Sequence, residues 1–88
     1  MKLIKHKKYE VLWIDAESDS SWYNEKDVDE ALIKSAKGVT TLGFFIKEDK
    51  NFLVFTSGMA NSGDIERLYF DYQFIPKKTV LNIKQIKN

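Results

Sequence analysis

Thr41-Leu-Gly-Phe-Phe-Ile-Lys-Glu-Asp-Lys-Asn-Phe-Leu-Val-Phe-Thr56 decides how the rest of the chain is read. Two apolar, aromatic-rich runs, Leu42–Ile46 and Phe52–Phe55, flank the polar segment Lys47-Glu48-Asp49-Lys50-Asn51. Aromatic and β-branched side chains suit a pleated surface, and a charged cluster ending in Asn suits a chain reversal, so the stretch reads as a β-hairpin. Leu42, Phe44 and Ile46 share one strand face while Phe45 takes the other, and Phe52 and Val54 oppose Leu53 and Phe55. Strands apolar on both faces are central ones, or have their outer face covered by a helix or a partner chain.

Working outward, Tyr9 to Ala16 reads as a first strand in which Tyr9, Val11 and Trp13 alternate with Glu10, Leu12 and Ile14. A polar loop, Glu17 to Ser21, leads to Trp22-Tyr23. Asn24 then stands as an N-cap, with Asp27 three residues on to complete a capping box. The helix is expected over Glu25 to Lys37, with Val28, Ala31, Leu32 and Ser35 on one side, acids early and Lys34 and Lys37 late, and Gly38 at its end. After the hairpin, Ser57 to Asp64 reads as a turn-rich loop and Ile65 to Phe74 as a fourth strand. Pro76 stops that strand, and Lys77-Lys78-Thr79 forms a short turn. Val80 to Ile86 is the last strand, its Val80, Ile83, Ile86 spacing indicating a bulge.

Eighty-eight residues, 43% of them hydrophobic and 14% aromatic, bound a single globular domain over 1–88. The basic segment 1–8, with Lys2, Lys5, Lys7 and Lys8, is expected to fray. Charge is partitioned along the chain. Residues 9–30 are strongly acidic, with Lys26 their only base, and bases again outnumber acids beyond residue 30. The net charge of +1 argues against a general nucleic-acid binder. No Cys is present, so neither disulfides nor thiolate metal sites enter. The first apolar run is too short for a signal peptide, and no stretch approaches the ~20 apolar residues of a membrane span. A cytoplasmic-type protein is expected.

Five short antiparallel strands in so small a chain tend to curl into a barrel, which hides their edges. A Pro-led turn before the last strand is the arrangement of SH3-like and Sm-like barrels. The segments Val11-Leu12-Trp13-Ile14-Asp15-Ala16, Trp22, Leu42-Gly43-Phe44-Phe45-Ile46 and Ile75-Pro76, the last followed by Val80 and Ile83, together resemble small, mostly uncharacterised bacteriophage proteins. Their pattern is a W-x-D-A strand end, a Ser-rich loop with a Trp, a G-F hairpin and an I-P turn. The resemblance covers most of the chain. It implies a mainly β, five-stranded antiparallel SH3/Sm-like barrel with one α-helix between strands one and two, and a place in the cytoplasm of an infected bacterial host.

Catalytic parts are scarce. The single histidine, His6, lies among lysines, and an acid–base pair such as Asp15 with Asp71 has no spacing to support it. Asp15, Glu17 and Asp19 alternate as calcium-loop ligands do, but Ser20 and Lys26 stand where that loop needs Gly and Glu. No enzyme activity and no cofactor is expected. Trp22-Tyr23 has two readings: a platform stacking on a nucleobase, or a plug folded back over the barrel or stapled to Val28. The first reading gathers a ligand site from Asp15, Ser20, Ser21, Trp22, Tyr23, Lys26, Asn61 and Arg67, at a mouth between the Asp15–Lys26 connection and the Ser57–Asp64 loop.

The expected function is a non-enzymatic phage binding protein, an anti-defence protein that sequesters a nucleotide-derived immune signal. The alternatives are an Sm-like RNA- or DNA-binding module and a protein-interaction module that inhibits a host factor. Because one short helix cannot cover all the doubly apolar strands, a homo-oligomer is expected.

Overall fold

The structure, a computed structural model, describes residues 2–15, 20–62 and 66–87, with the side chains at 61, 62 and 66 left aside. Its centre is the hairpin expected from residues 41–56. Strand β2 (Val39–Glu48) pairs antiparallel with β3 (Phe52–Thr56), Phe45 opposite Phe55, and a bulge at Ile46 re-phases the pair before Lys47 meets Val54. The Asp49 carboxylate forms the turn by accepting the N–H groups of Asn51 and Phe52, both at 2.8 Å.

β1 (Lys8–Trp13) lies against β2, and β7 (Val80–Gln85) lies on the far side of β1. Leu12 faces Asn82 and Trp13 faces Val80, so Leu81 is the extra residue of the expected bulge. β6 (Gln73–Pro76) pairs with β3, giving the five-stranded antiparallel order β6-β3-β2-β1-β7.

β6 and β7 are the two edges, yet a three-residue 3₁₀ turn (Lys77–Thr79) joins them. Four strand spacings make a flat sheet roughly 19 Å across. A three-residue 3₁₀ turn advances only about 6 Å. The sheet must therefore curl until its edges approach. They do not pair: among the described residues no ladder joins β6 to β7, and the expected barrel is not closed.

Curling produces one concave face, and the alternation in β1 fills it. Tyr9, Val11 and Trp13 are buried with Phe45, Leu53, Phe55 and Ile75, and Val80 and Ile83 pack against them. Tyr9, Phe45 and Phe55 form a triangle of edge-to-face rings with centroids 5.7 to 6.4 Å apart. Gly43 permits it, since a Cβ there would lie 3.1 Å from both the Phe55 Cβ and the Thr56 carbonyl oxygen. Trp13 belongs to this core, and its Nε1 donates to Thr41 Oγ1 at 3.0 Å. The N-terminal segment, expected to fray, is tied down. Leu3 joins the core, Ile4 N–H donates to the Tyr9 hydroxyl at 2.7 Å, and His6 N–H donates to the Phe45 carbonyl at 2.7 Å.

Two corrections concern what lies outside the sheet. The segment expected as a loop holds strand β4 (Gly58–Ser62), which pairs with β5 (Glu66–Phe70) as a separate two-stranded arm. The expected long strand over 65–74 is thus two strands, cut at Asp71, whose φ is +54°. Leu68, Phe70, Tyr72 and Phe74 keep their phase across the cut, so periodicity alone could not reveal it.

The second correction is the helix. α1 (Glu25–Ser35) carries the expected capping box, with Asn24 Oδ1 accepting from Asp27 N–H at 2.8 Å and Asp27 accepting from Asn24 N–H at 3.3 Å. Gly38, φ +81°, turns the chain into β2 where a Cβ would meet the Trp13 carbonyl oxygen at 2.9 Å. Yet α1 buries none of its residues, and Val28, Leu32 and Ile33 are all more than half exposed. It does not roof the sheet. The molecule measures 56 × 28 × 27 Å, long for its size.

Candidate functional site

The arm leaves the sheet at a polar knot. Thr56, the one buried polar side chain among the described residues, places its hydroxyl 2.8 to 3.0 Å from the carbonyl oxygens of Gly58, Phe70 and Asp71. It has one proton to donate among the three. Beside it the Asp71 carboxylate accepts from Ser57 N–H at 3.2 Å and Ser57 Oγ–H at 2.6 Å. These bonds hold Asp71 in its left-handed conformation, where Asp is tolerated better than most residues.

Further out, the chain's only histidine meets its only arginine. The Arg67 guanidinium donates to His6 Nδ1 at 2.8 Å and lies 3.9 Å from the Met59 sulfur. Arginine can only donate, so Nδ1 is unprotonated and the proton sits on Nε2, which donates to the Tyr69 hydroxyl oxygen at 2.9 Å. Partial burial, then the charges of Arg67 and Lys5, hold the His6 pKa below its ordinary value of 6.5. A neutral His6 therefore clasps the arm to the N-terminal segment.

Between arm and sheet runs a groove of about 630 Å³. Ile46 and Val54 come from the hairpin, Leu68 and Tyr69 from the arm, and Tyr72 and Phe74 from the segment rejoining the sheet. Tyr72 and Phe74 stack obliquely at 5.3 Å, and Phe74 touches Phe52 at 5.9 Å. The wall is mostly apolar and aromatic, with charge at its border.

The bordering acids are engaged at home: Glu48 with Lys77 at 2.6 Å, Asp49 with its two backbone donors, and Asp71 with Ser57. Those two backbone bonds, with Lys77 a lesser cause, hold the Asp49 pKa low. Lys47 and Arg67 also border the groove, and among the described residues neither is ion-paired to an acid. Smaller hollows are also present among the described residues. One is next to Thr41, Thr56 and Gln73, and one is in the gap between the sheet edges, beside Leu3, Leu53 and Val80.

Of the described residues expected to bind a ligand, Arg67 alone borders this groove. Asp15 is exposed at the end of β1, and Ser20, Ser21, Trp22, Tyr23 and Lys26 are exposed around the start of α1. The side chain of Asn61, and Glu17 and Asp19 of the acidic loop, lie outside the described parts. Trp22 is 99% exposed, which removes its reading as a core plug. The groove residues escaped the sequence reading. Aromatic residues in strand phase signal a core, and nothing in their spacing says that an arm lifts them away from it.

Among the described residues no three His, Cys, Asp or Glu side chains converge as a metal site would require, and no helix is long and apolar enough to cross a membrane. Compared with protein-family models, curated proteins and solved structures, the chain matches none.

Proposed function

We propose that this chain is a non-enzymatic, self-associating binding module built on an SH3/Sm-like strand order. One observation carries the reading: α1 is capped at both the side-chain and backbone level, carries an apolar stripe, and buries none of it. Isolated helices shorter than ~12–15 residues are marginal in water, as are isolated two-stranded ribbons. Both the 11-residue helix and the arm gain what they lack when another surface covers their apolar sides. The curled β6-β3-β2-β1-β7 order, with a 3₁₀ turn before the last strand, supports the SH3/Sm-like assignment. The resemblance to small phage proteins supports action in the cytoplasm of an infected bacterium. Sedimentation velocity from low to high micromolar concentration tests the reading. The expected result is a mass rising above the 10.3 kDa of the monomer, and a monomer throughout refutes it.

Trp22 favours a second reading, in which the same module sequesters a nucleotide-type ligand. At 99% exposure, with Tyr23, Ser20, Ser21 and Lys26 nearby in the chain, its indole is free to stack on a base. A thermal-shift screen against mononucleotides, cyclic dinucleotides and ADP-ribose derivatives, with short RNA for comparison, tests it. Binding at a hundredfold excess over Kd raises stability by ~2.7 kcal/mol. Trp22→Ala is expected to fold normally and lose that shift. Binding to RNA in place of the small ligand would show itself by a steep loss with salt.

A further inference from the structure

Among the described residues nothing buries the apolar face of α1, and the arm groove is walled by exposed apolar side chains. We infer that the two are halves of one contact: α1 of one copy docks in the arm groove of a second copy, head to tail. This rests on the self-association proposed above and names its surfaces.

Size and chemistry agree. α1 presents Val28, Leu32 and Ile33, each more than half exposed, and the groove presents Leu68, Tyr72 and Phe74, exposed to a similar degree. A stripe of i, i+4 anchors entering an aromatic cleft is a recurring mode of helix recognition. The cleft of about 630 Å³ holds the side chains of such a stripe. Charge runs the same way. α1 bears Glu25, Asp27, Asp29 and Glu30 against Lys26 and Lys34. At the groove Glu48 is neutralised by Lys77, Asp49 and Asp71 keep their charge but are held by their own backbone and hydroxyl donors, and Lys47 and Arg67 have no acid partner among the described residues. Opposite charges at the border orient the helix and suppress other pairings.

The helix cannot fill the groove of its own chain. Gly38 N–H donates to the Ser35 carbonyl at 3.0 Å, so α1 is tethered tightly to the Val39 end of β2. The groove lies at the other end of that strand, from Ile46 onward, roughly 23 Å away at strand rise. At helical rise Leu32 lies only about 5 Å along α1 from Ser35. A second copy has no such tether. A contact between two different surfaces of identical chains leaves one helix and one groove open at every step, so it propagates until a ring closes.

The experiment uses two surface variants of the full chain, Leu32→Glu, which spoils the helix face, and Tyr72→Glu, which spoils the groove. Both positions are about 70% exposed. Each variant alone is expected to lose self-association by roughly tenfold or more. Mixed together, they are expected to form a 1:1 complex and nothing larger, because one still offers a helix and the other a groove. Far-UV circular dichroism checks that each is folded. If either does not fold, Lys47→Glu, at a residue with no ion pair among the described residues, replaces Tyr72→Glu, and Leu32→Ala replaces Leu32→Glu. An oligomeric parent whose variants still self-associate, or do not complement on mixing, overturns the docking mode and leaves self-association standing. A parent that is monomeric at high micromolar concentration overturns both.

Discussion

Phe55 and Leu32 are both large apolar residues in the middle of well-formed elements, yet the first is 1% exposed and the second 69%. The contrast extends to their surroundings. The curled sheet buries Tyr9, Val11, Phe55 and Ile75 almost completely, while α1 and the β4–β5 arm leave Leu32, Ile33, Leu68 and Phe70 open. Local pattern builds an element; only a covering layer turns its apolar face into stability. Here the covering exists on one side of the sheet. Among the described residues nothing supplies it for the helix or the arm.

The largest expected effect lies in the sheet. Phe55→Ala removes one corner of the Tyr9–Phe45–Phe55 triangle and leaves a cavity where Gly43 offers no side chain to fill it. A loss of about 3–5 kcal/mol is expected. That is a large part of the total stability of so small a domain. Urea denaturation should give a much lower midpoint or no folded baseline. A cost under about 1 kcal/mol would mean that the triangle is not the core.

Thr56→Val comes next and acts at the border between the two regions. The isosteric change keeps the volume and removes the one proton shared among three carbonyl oxygens. An expected loss of ~1–2 kcal/mol follows from leaving part-buried acceptors without their donor. Hydrogen exchange should accelerate first in β4 and β5. If β1 and β2 open equally, arm and sheet form one cooperative unit and the contrast between them is weaker than drawn.

This division also explains what could be read from residues alone. The hairpin over 41–56, the alternation Tyr9-Val11-Trp13, the bulge near Leu81 and the capping box of Asn24 and Asp27 are each written in neighbouring residues, and each is present. The arm was not legible. Gly58-Met59-Ala60-Asn61-Ser62 has turn-like composition, and its pairing with Glu66–Phe70 depends on Thr56 and Asp71 in the tertiary fold. The groove was missed for the same reason, since its residues are gathered from the hairpin, the arm and β6. The curl of the sheet was legible in part: a Pro-led turn before the last strand brings the edges together, and whether they pair depends on backbone positions that composition does not specify. Trp22 shows the limit most clearly, because a Trp in a polar loop suits a plug and a platform equally well until its exposure is known.

A smaller effect is expected at the clasp. Partial burial, then the charges of Arg67 and Lys5, hold the His6 pKa below 6.5, and its Nδ1 accepts from Arg67. The folded state therefore binds fewer protons here than the unfolded chain does. The contribution is complete above the unfolded value and is lost as pH falls below it toward the folded value. Among the described residues the groups facing the ring are Arg67 and Tyr69 from the arm and Lys5 from its own segment, so a proton added to His6 meets two cations and, among those residues, no carboxylate. Protection of the β5 amides, taken relative to the intrinsic exchange rate at each pH, should fall as pH drops from neutral through the ordinary histidine value, and His6→Gln should remove most of that dependence. An unchanged profile in the variant would place the titrating group elsewhere.

The smallest expected effect is the sharpest statement of the contrast. Leu32→Ala removes as many apolar atoms as many core truncations, and in the isolated chain it is expected to cost less than about 0.5 kcal/mol. Leu32 gives up little burial, and Ala is the better helix former, which offsets part of what is lost. Concentration decides whether this is seen. Anything that binds the folded state adds to apparent stability, so the variant must be compared with its parent at the lowest workable concentration and again at high micromolar. The two chains should unfold together in the dilute samples, and the parent alone should gain stability in the concentrated ones. A deficit above about 1 kcal/mol in dilute solution would mean that α1 already packs on its own chain in solution, and the distinction between covered sheet and uncovered helix would fall with it.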